Sequence, residues 1–519
     1  MREKIIEIGK DSIWYFIASA VGSALGFLSI PIFTRLFIPQ EYGIYSLVST
    51  TVMIGSPFLF VWIAASSLRF YPEHLKDDTL DVYYSTIYHY MPHFVFLFLA
   101  AFIPIAAFVL PLGKYRVAVC LGIAIFAFNT LYMVMLSMVR ARQQAWQYCL
   151  LYILAPFGRY VAGAGLVVAF KTHRVESALA AWVGILLLCI PLELILLSAR
   201  QYFHWKKVSN RELRFWFGFG FVLTFSNLFS HFLISGDRFI LQALKGAAAV
   251  GLYSVSYNIV FGIGSLFSDF ILLASIPVLN KVYVMEGDDE AIHLINRLTR
   301  YLLLALTPSM LTLCVLSHRM FSVFTSAKYF AGESTVLPIA IGTFFAFLGS
   351  LPLQSFYLKK KTVMAVVPFG ISTAVNIGSN FILIPLLGIN GAAWSTAISY
   401  LVYIVLVAAL GAKYMRWDFP WAPAIKILFA NVVLCGTLFA MRLIPVRGLG
   451  GFLIILATGA LVYLGTFVVI GGFTENEIEF ALSAMKRIAV FAHMLKATPE
   501  EHKPERGSGD SDSPDDGEA

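Results

Sequence analysis

Residues 41–49 read EYGIYSLVS, and residues 249–257 read AVGLYSVSY. Gly43-Ile44-Tyr45-Ser46-Leu47 is matched position by position by Gly251-Leu252-Tyr253-Ser254-Val255. Each copy opens a long apolar run, and each follows an arginine, Arg35 or Arg238. The copies stand six spans apart. An even separation gives both copies the same membrane orientation, which relates them by an axis along the membrane normal.

Working outward, the surrounding runs are continuously apolar. The 519 residues are 59% hydrophobic and only 13% charged, with mean hydropathy +0.78. Soluble domains carry about 25% charged residues, so a soluble enzyme and a disordered chain are both excluded. A transmembrane β-barrel is excluded as well, because barrel strands alternate apolar and polar residues. The expected fold is an all-α polytopic membrane protein. At about 20 residues per span, about fourteen transmembrane helices run from 12–34 to 449–473, the seventh at 214–235 and the eighth at 250–276.

Basic residues set the orientation. Arg200, Lys206, Lys207, Arg211 and Arg214 cluster in one loop, and Lys359, Lys360 and Lys361 in another. Both fall on one side when the N- and C-termini are cytoplasmic. The net charge of +8 then belongs to cytoplasmic loops rich in Lys and Arg, not to a nucleic-acid surface. The expected organisation is an N-lobe of helices 1–6 (1–199) and a C-lobe of helices 7–12 (200–413), two six-helix bundles related by the pseudo-twofold axis. Two extra C-terminal helices (414–473), a cytoplasmic amphipathic helix (474–497) and a disordered acidic tail (498–519) follow. Loops between spans are too short for a catalytic domain.

Ionisable residues inside spans are costly and mark cavities or partners. Arg159 sits mid-span in LYILAPFGRYVAGAGLVVAF, too far from either end to snorkel. A guanidinium there suits a phosphate ligand or an ion pair between helices. Ser254, Asn258, Ser265 and Asp269 share one helical face, with Asp269 a candidate for H⁺ or Na⁺ coupling. Thr224, Asn227, His231 and Ser235 form a second stripe, followed by Asp237-Arg238. Asn376 and Asn380 make an i, i+4 pair. Such stripes line water-filled walls or hold helices together. Glu193 lies near the cytoplasmic end of its span, within reach of pairing with Arg200. His89 and His93 have helical metal-pair spacing, but no Cys or carboxylate completes a site and Pro92 disturbs the turn, so no metal is expected. Cys120, Cys149, Cys189, Cys314 and Cys435 are scattered and form no motif. No nucleotide-binding or nucleophile motif is present, and no cofactor is expected.

Three stretches carry a resemblance. IPIFTRLFIPQEYGIYSL (30–47), FVLTFSNLFSHFLISGDRFILQALKGAAAVGLYSVSY (221–257) and VNIGSNFILIPLLGINGAAWSTAISYLV (375–402) resemble signatures of the polysaccharide transporter family, similar to the O-antigen flippases. This family belongs to the multidrug/oligosaccharidyl-lipid/polysaccharide exporter superfamily. The linker KKKTVM (359–364) also fits. The resemblance implies a two-lobed bundle and a plasma (inner) membrane protein, a transporter and not an enzyme. It flips an undecaprenyl-diphosphate-linked oligosaccharide by alternating access for cell-surface polysaccharide biosynthesis. It implies a cationic cavity meeting the diphosphate, with Arg35, Arg69 and Arg238 at motif positions. Arg159 joins them on burial alone. The implied partners are the lipid-linked oligosaccharide, membrane lipids, a coupling H⁺ or Na⁺ ion at Asp269 or Asp237, and polysaccharide assembly proteins. The polar lining would be Asn227, His231, Ser254, Asn258, Ser265, Asn376 and Asn380. Competing readings are a multidrug or other small-molecule exporter of the same superfamily, a membrane glycan polymerase, which the short outer loops disfavour, and a non-transporting scaffold of a glycan assembly complex.

Overall fold

A computed structural model describes residues 2–111, 113–171, 173–444, 448–473, 477 and 479. The expected amphipathic helix at 474–497 and tail at 498–519 lie outside these residues, apart from 477 and 479. The chain is helical, with no strand among the described residues. The helices are α1 (Arg2–Leu36), α2 (Pro39–Lys76), α3 (Leu80–Pro104), α4 (Arg116–Ala141), α5 (Ala145–Ala169), α6 (Arg174–Leu196), α7 (Ala199–Tyr202), α8 (Asn210–Ser235) and α9 (Asp237–Lys245). They continue as α10 (Ala247–Glu286), α11 (Asp288–Val315), α12 (Ser317–Phe324), α13 (Val336–Leu348), α14 (Gln354–Leu358), α15 (Thr362–Leu387), α16 (Ile389–Gly411), α17 (Trp421–Arg442) and α18 (Gly448–Val469).

Among the described residues, thirteen helical stretches are long and apolar enough to cross a membrane. The remaining expected span, 214–235, is α8. Its 26 residues reach about 39 Å at 1.5 Å per residue. Along it Asn227, His231 and Ser235 turn toward an internal cavity instead of lipid. Helices α2 and α10 overrun their expected spans, with 38 and 40 residues. Such lengths exceed the ~30 Å hydrocarbon core. Gly287, at φ +95°, ends α10 and lets α11 begin at the next residue, a backbone turn that a side chain would strain.

By internal contacts the chain divides into Met1–Leu464 and Gly465–Ala519. In the second unit the Phe467 and Phe473 rings meet edge to face at 4.9 Å. In the first unit, α2 and α10 cross where the sequence repeats. A Cβ built on Gly43 would stand 1.8 Å from the Ala247 carbonyl oxygen, and one on Gly251 would stand 1.9 Å from that of Pro39. Each carbonyl lies four residues before the opposing glycine, so exchanging the copies reproduces the contact. Three residues beyond the glycines, Ser46 Oγ donates to Ser254 Oγ at 2.8 Å. Small residues at a spacing of four permit such backbone approach in a membrane.

Farther along, α2 packs on α8. Ser66 Oγ donates to the Trp216 carbonyl at 3.0 Å, and a Cβ on Gly220 would meet Trp62 Cα at 2.4 Å. Rings close around this contact: Trp62 on Phe217 at 5.2 Å and Phe70 on Phe215 at 5.0 Å. Helix α2 therefore leans on α10 near one end and on α8 near the other.

Gly43→Ala is expected to force the crossing apart and to lower unfolding stability in detergent by about 1–3 kcal/mol, the usual cost of overpacking. Gly165→Ala, whose Cβ would meet nothing within 4 Å, should change stability by less than about 1 kcal/mol. Equal melting temperatures for the two variants would contradict the crossing geometry.

Candidate functional site

Between these contacts α1, α2, α4, α5, α6, α8, α9 and α10 enclose a cavity of about 770 Å³. Among the described residues its wall contains two arginines, Arg159 and Arg238, and no aspartate or glutamate.

Arg159 is the fifteenth of the 25 residues of α5. Its Nε donates to the Tyr45 hydroxyl at 2.7 Å and its Nη2 to Ser49 Oγ at 2.8 Å. Tyr45 and Ser49 are one turn apart on α2, so a single helix face presents both acceptors. The guanidinium lies 3.4 Å from the centre of the Trp182 ring, with Tyr45 and Tyr160 at 5.1 and 5.2 Å. Neutral hydroxyls and ring faces therefore hold this cation. No carboxylate of the described residues pairs with it, so the interhelical ion pair left open by the sequence does not form. A guanidinium has five N–H donors, and two are used here.

Arg238 is 3% exposed. Its Nε donates to Ser254 Oγ at 3.2 Å, its Nη1 to the Ile234 carbonyl at 3.3 Å and its Nη2 to Asn258 Oδ1 at 3.5 Å. Tyr257 lies beneath it, 4.7 Å to the ring centre. Asp237 Oδ1 stands 3.7 Å from Nη1, but Asp237 is fully buried behind the wall, where it accepts from the Tyr253 hydroxyl and, at 3.1 Å, from Thr396 Oγ1. The repeat joins the arginine to the crossing, since Ser254 accepts from Arg238 and is also the hydrogen-bond partner of Ser46.

The structure sorts the residues read from sequence. Arg159, Arg238, Asn227, His231, Asn258 and Ser265 line the cavity, and Ser254 stands behind the wall. Arg35 and Arg69 do not reach the cavity. Arg35 ends α1, where unsatisfied carbonyls attract cations, and donates to Pro31 and Val323 oxygens at 3.1 and 3.0 Å. Arg69 is exposed and pairs with Glu73 one turn away at 2.6 Å. Asn376 and Asn380 are buried away from the cavity: Asn380 Nδ2 donates to Asn376 Oδ1 at 2.9 Å, and Ser395 Oγ to the Asn376 carbonyl at 3.0 Å. They hold α15 to α16. Asp269 is partly buried on α10, outside the cavity wall. Among the described residues no group of three metal-ligating side chains occurs.

Four residues of the site were missed by the sequence reading: Tyr45, Ser49, Tyr160 and Trp182. Tyr45 lies inside the repeat, and its i, i+4 relation to Ser49 was a usable signal. Nothing local marks Trp182, which arrives from α6.

The family model described as "Polysaccharide biosynthesis protein" matches residues 8–283, more than half of the chain. A curated Klebsiella pneumoniae protein, an uncharacterized membrane protein in a cps region, is 24% identical over 324 residues, covering 59% of this chain and 62% of that protein. The chain thus matches less than two thirds of that relative. Among solved structures, the lipid II flippase MurJ in an inward closed conformation superposes with TM-score 0.69 at 17% identity, covering 88% of this chain and 98% of its own. An outward-facing multidrug resistance transporter of the MATE family, in the MOP superfamily, gives TM-score 0.54 at 13% identity, covering 78% and 95%. At these identities the likeness is one of fold.

Tyr45→Phe removes the acceptor of Arg159 Nε. A hydrogen bond to a charged group contributes about 1.5–3 kcal/mol, and the variant should lose stability in that range by thermal unfolding in detergent. Tyr160→Phe, whose ring remains and whose hydroxyl holds no part of the guanidinium, should stay close to wild type.

Proposed function

The chain belongs to the polysaccharide biosynthesis protein family, and from that premise and its cationic cavity we propose that it flips an undecaprenyl-diphosphate-linked oligosaccharide across the plasma (inner) membrane by alternating access. It is a multi-pass membrane protein with the fold of the MOP-superfamily flippases and transporters. The observation that carries the reading is a cavity of about 770 Å³ lined, among the described residues, by two arginines and no carboxylate.

A diphosphate-linked sugar cannot cross about 30 Å of hydrocarbon unaided, because its charged head would lose its hydration without compensation. Arg159 offers donors on a planar fork suited to phosphate oxygens. Asn227, His231, Asn258 and Ser265 supply hydrogen bonds for hydroxyls. Phe27, Phe33, Phe60 and Phe261 complete a wall on which sugar faces rest. In this reading, residues 1–199 and 200–413 act as two lobes that rock about the α2–α10 crossing, with both termini cytoplasmic. Asp237, coupled to Arg238 across one wall of the cavity, and Asp269 on α10 are the carboxylates through which H⁺ or Na⁺ would drive the cycle.

An exporter of cationic drugs would need negative charge where this cavity presents two guanidinium groups. The same charge favours the lipid diphosphate over a neutral compound.

The test is translocation of a labelled undecaprenyl-diphosphate oligosaccharide in proteoliposomes. Arg159→Ala and Arg238→Ala should each lower the rate at least tenfold. Arg69→Ala, which loses only an exposed pair of about 0.2–1 kcal/mol, should stay within about twofold. Asp237→Asn should retain downhill movement and lose stimulation by an ion gradient. Wild-type transport of cationic drugs with none of the lipid-linked sugar would overturn the assignment.

A further inference from the structure

A second buried charge-bearing group stands apart from the cavity. Glu193 is fully buried in the last turns of α6, and neither of its carboxyl oxygens has a hydrogen-bond partner. The hydroxyls of Tyr84 and Tyr88 on α3 are buried without partners as well. Tyr88, Tyr132 on α4 and Cys189 one turn earlier on α6 lie within electrostatic reach of the carboxyl. Tyr132 spends its proton on the Leu151 carbonyl at 3.0 Å. Arg142, just beyond α4, is near enough to act on Tyr84 and Tyr88. It turns Nη1 to the Leu196 carbonyl at 3.2 Å and forms no ion pair with Glu193. Helices α2, α5 and α7 also pack on α6 and bring no charged group that acts on the carboxyl among the described residues.

A carboxylate so buried, with neither cation nor donor upon it among the described residues, persists only if something neutralises it. Two agents qualify, a metal ion or a proton. Hard cations take several oxygen ligands, whereas the neighbours here are phenols and a thiol. The proton is the agent that fits. Position links the group to the cavity. Glu193 follows Trp182 by eleven residues, which is three turns along the same face of α6, about 16 Å at 1.5 Å per residue. Trp182 is the ring against which Arg159 lies. A displacement of α6 that opens Glu193 to water therefore moves one wall of the Arg159 cage.

We propose that Glu193 is a reversible proton-binding site in the N-terminal half of the protein, separate from Asp237 and Asp269, and that its proton is exchanged during the transport cycle. One Oε–H bond forms when α6 exposes the carboxyl to the side of higher proton activity, and the same bond breaks to water on the other side. The transport half of this statement rests on the flippase reading above; the proton-binding half does not.

Two measurements on the full chain keep these halves apart. The first is infrared absorption of the protonated-carboxyl C=O stretch in lipid nanodiscs across a pH series, for wild type, Glu193→Gln and Asp237→Asn. A band present at neutral pH, lost in Glu193→Gln, kept in Asp237→Asn and titrating as pH rises supports the site. Absence of a Glu193 band, or a band that never titrates, overturns it. The second is lipid-linked oligosaccharide flipping with and without an imposed proton gradient. Glu193→Gln should keep at least half of the gradient-free rate and lose the proton-stimulated increment, with any sodium stimulation unchanged. Undiminished proton stimulation in Glu193→Gln overturns the coupling. If the wild type moves no lipid-linked sugar, the flippase reading fails, and the infrared titration alone decides whether Glu193 is a proton site.

Discussion

The close approach of Gly43 and Gly251 is the constraint on which the site depends. With a side chain at either position, α2 and α10 would be held apart by the carbonyls of Ala247 and Pro39. That approach brings Ser46 within 2.8 Å of Ser254. Ser254 in turn holds Arg238, and Tyr45, one residue before Ser46, holds Arg159. Both cations of the cavity are thus indexed to one helix crossing. Backbone contact suits this task in a membrane, where lipid tails remove the hydrophobic drive for helix association and packing with hydrogen bonds must replace it.

The repeat is symmetric in backbone and asymmetric in chemistry. Tyr45 gives its hydroxyl oxygen to a cation, Arg159. Its counterpart Tyr253 gives its hydroxyl proton to an anion, Asp237. The same residue at the same place in the motif serves opposite charges because a phenol both donates and accepts. The result is a cavity with positive charge on its wall and its nearest carboxylate withdrawn behind it. Paired but not cancelled, Arg238 keeps one face toward the cavity while Asp237 accepts from Tyr253 and Thr396 on Oδ2 alone. Among the described residues Arg159 has no such counter-ion. Its cost of burial is offset by two hydroxyls and three aromatic rings, an arrangement that leaves donors available to an anionic guest.

Much of this was legible before any coordinates. Continuous apolar runs imply helices, because only an intrasegment hydrogen-bond pattern satisfies the backbone in lipid. Arg159 was conspicuous because a guanidinium in mid-span is expensive. The polar stripes on α8 and α10 followed from helical period, and Asn227, His231, Asn258 and Ser265 do face one cavity. The reading of Arg35 and Arg69 as cavity residues did not survive. Each side chain found a nearer partner: a helix-end carbonyl for one and Glu73 for the other. The Asn376 and Asn380 pair had the same pattern as a cavity lining and instead joins two helices. A stripe of polar residues states which face is polar and leaves open whether water or another helix covers it.

Sequence by itself determined the helical membrane class, the number of long spans to within one, the repeated segment and the presence of a costly cation within a span. Each follows from local cost: apolar length against bilayer thickness, and charge against hydrocarbon. Only the tertiary structure decided which arginines share a cavity, that Trp182 and Tyr45 hold Arg159, and that Glu193 stands alone. Those facts depend on the rotation of each helix about its axis and on which helix lies beside it. Rotation and neighbours are set by close contacts such as Gly43 on Gly251, made between residues that are far apart in the chain.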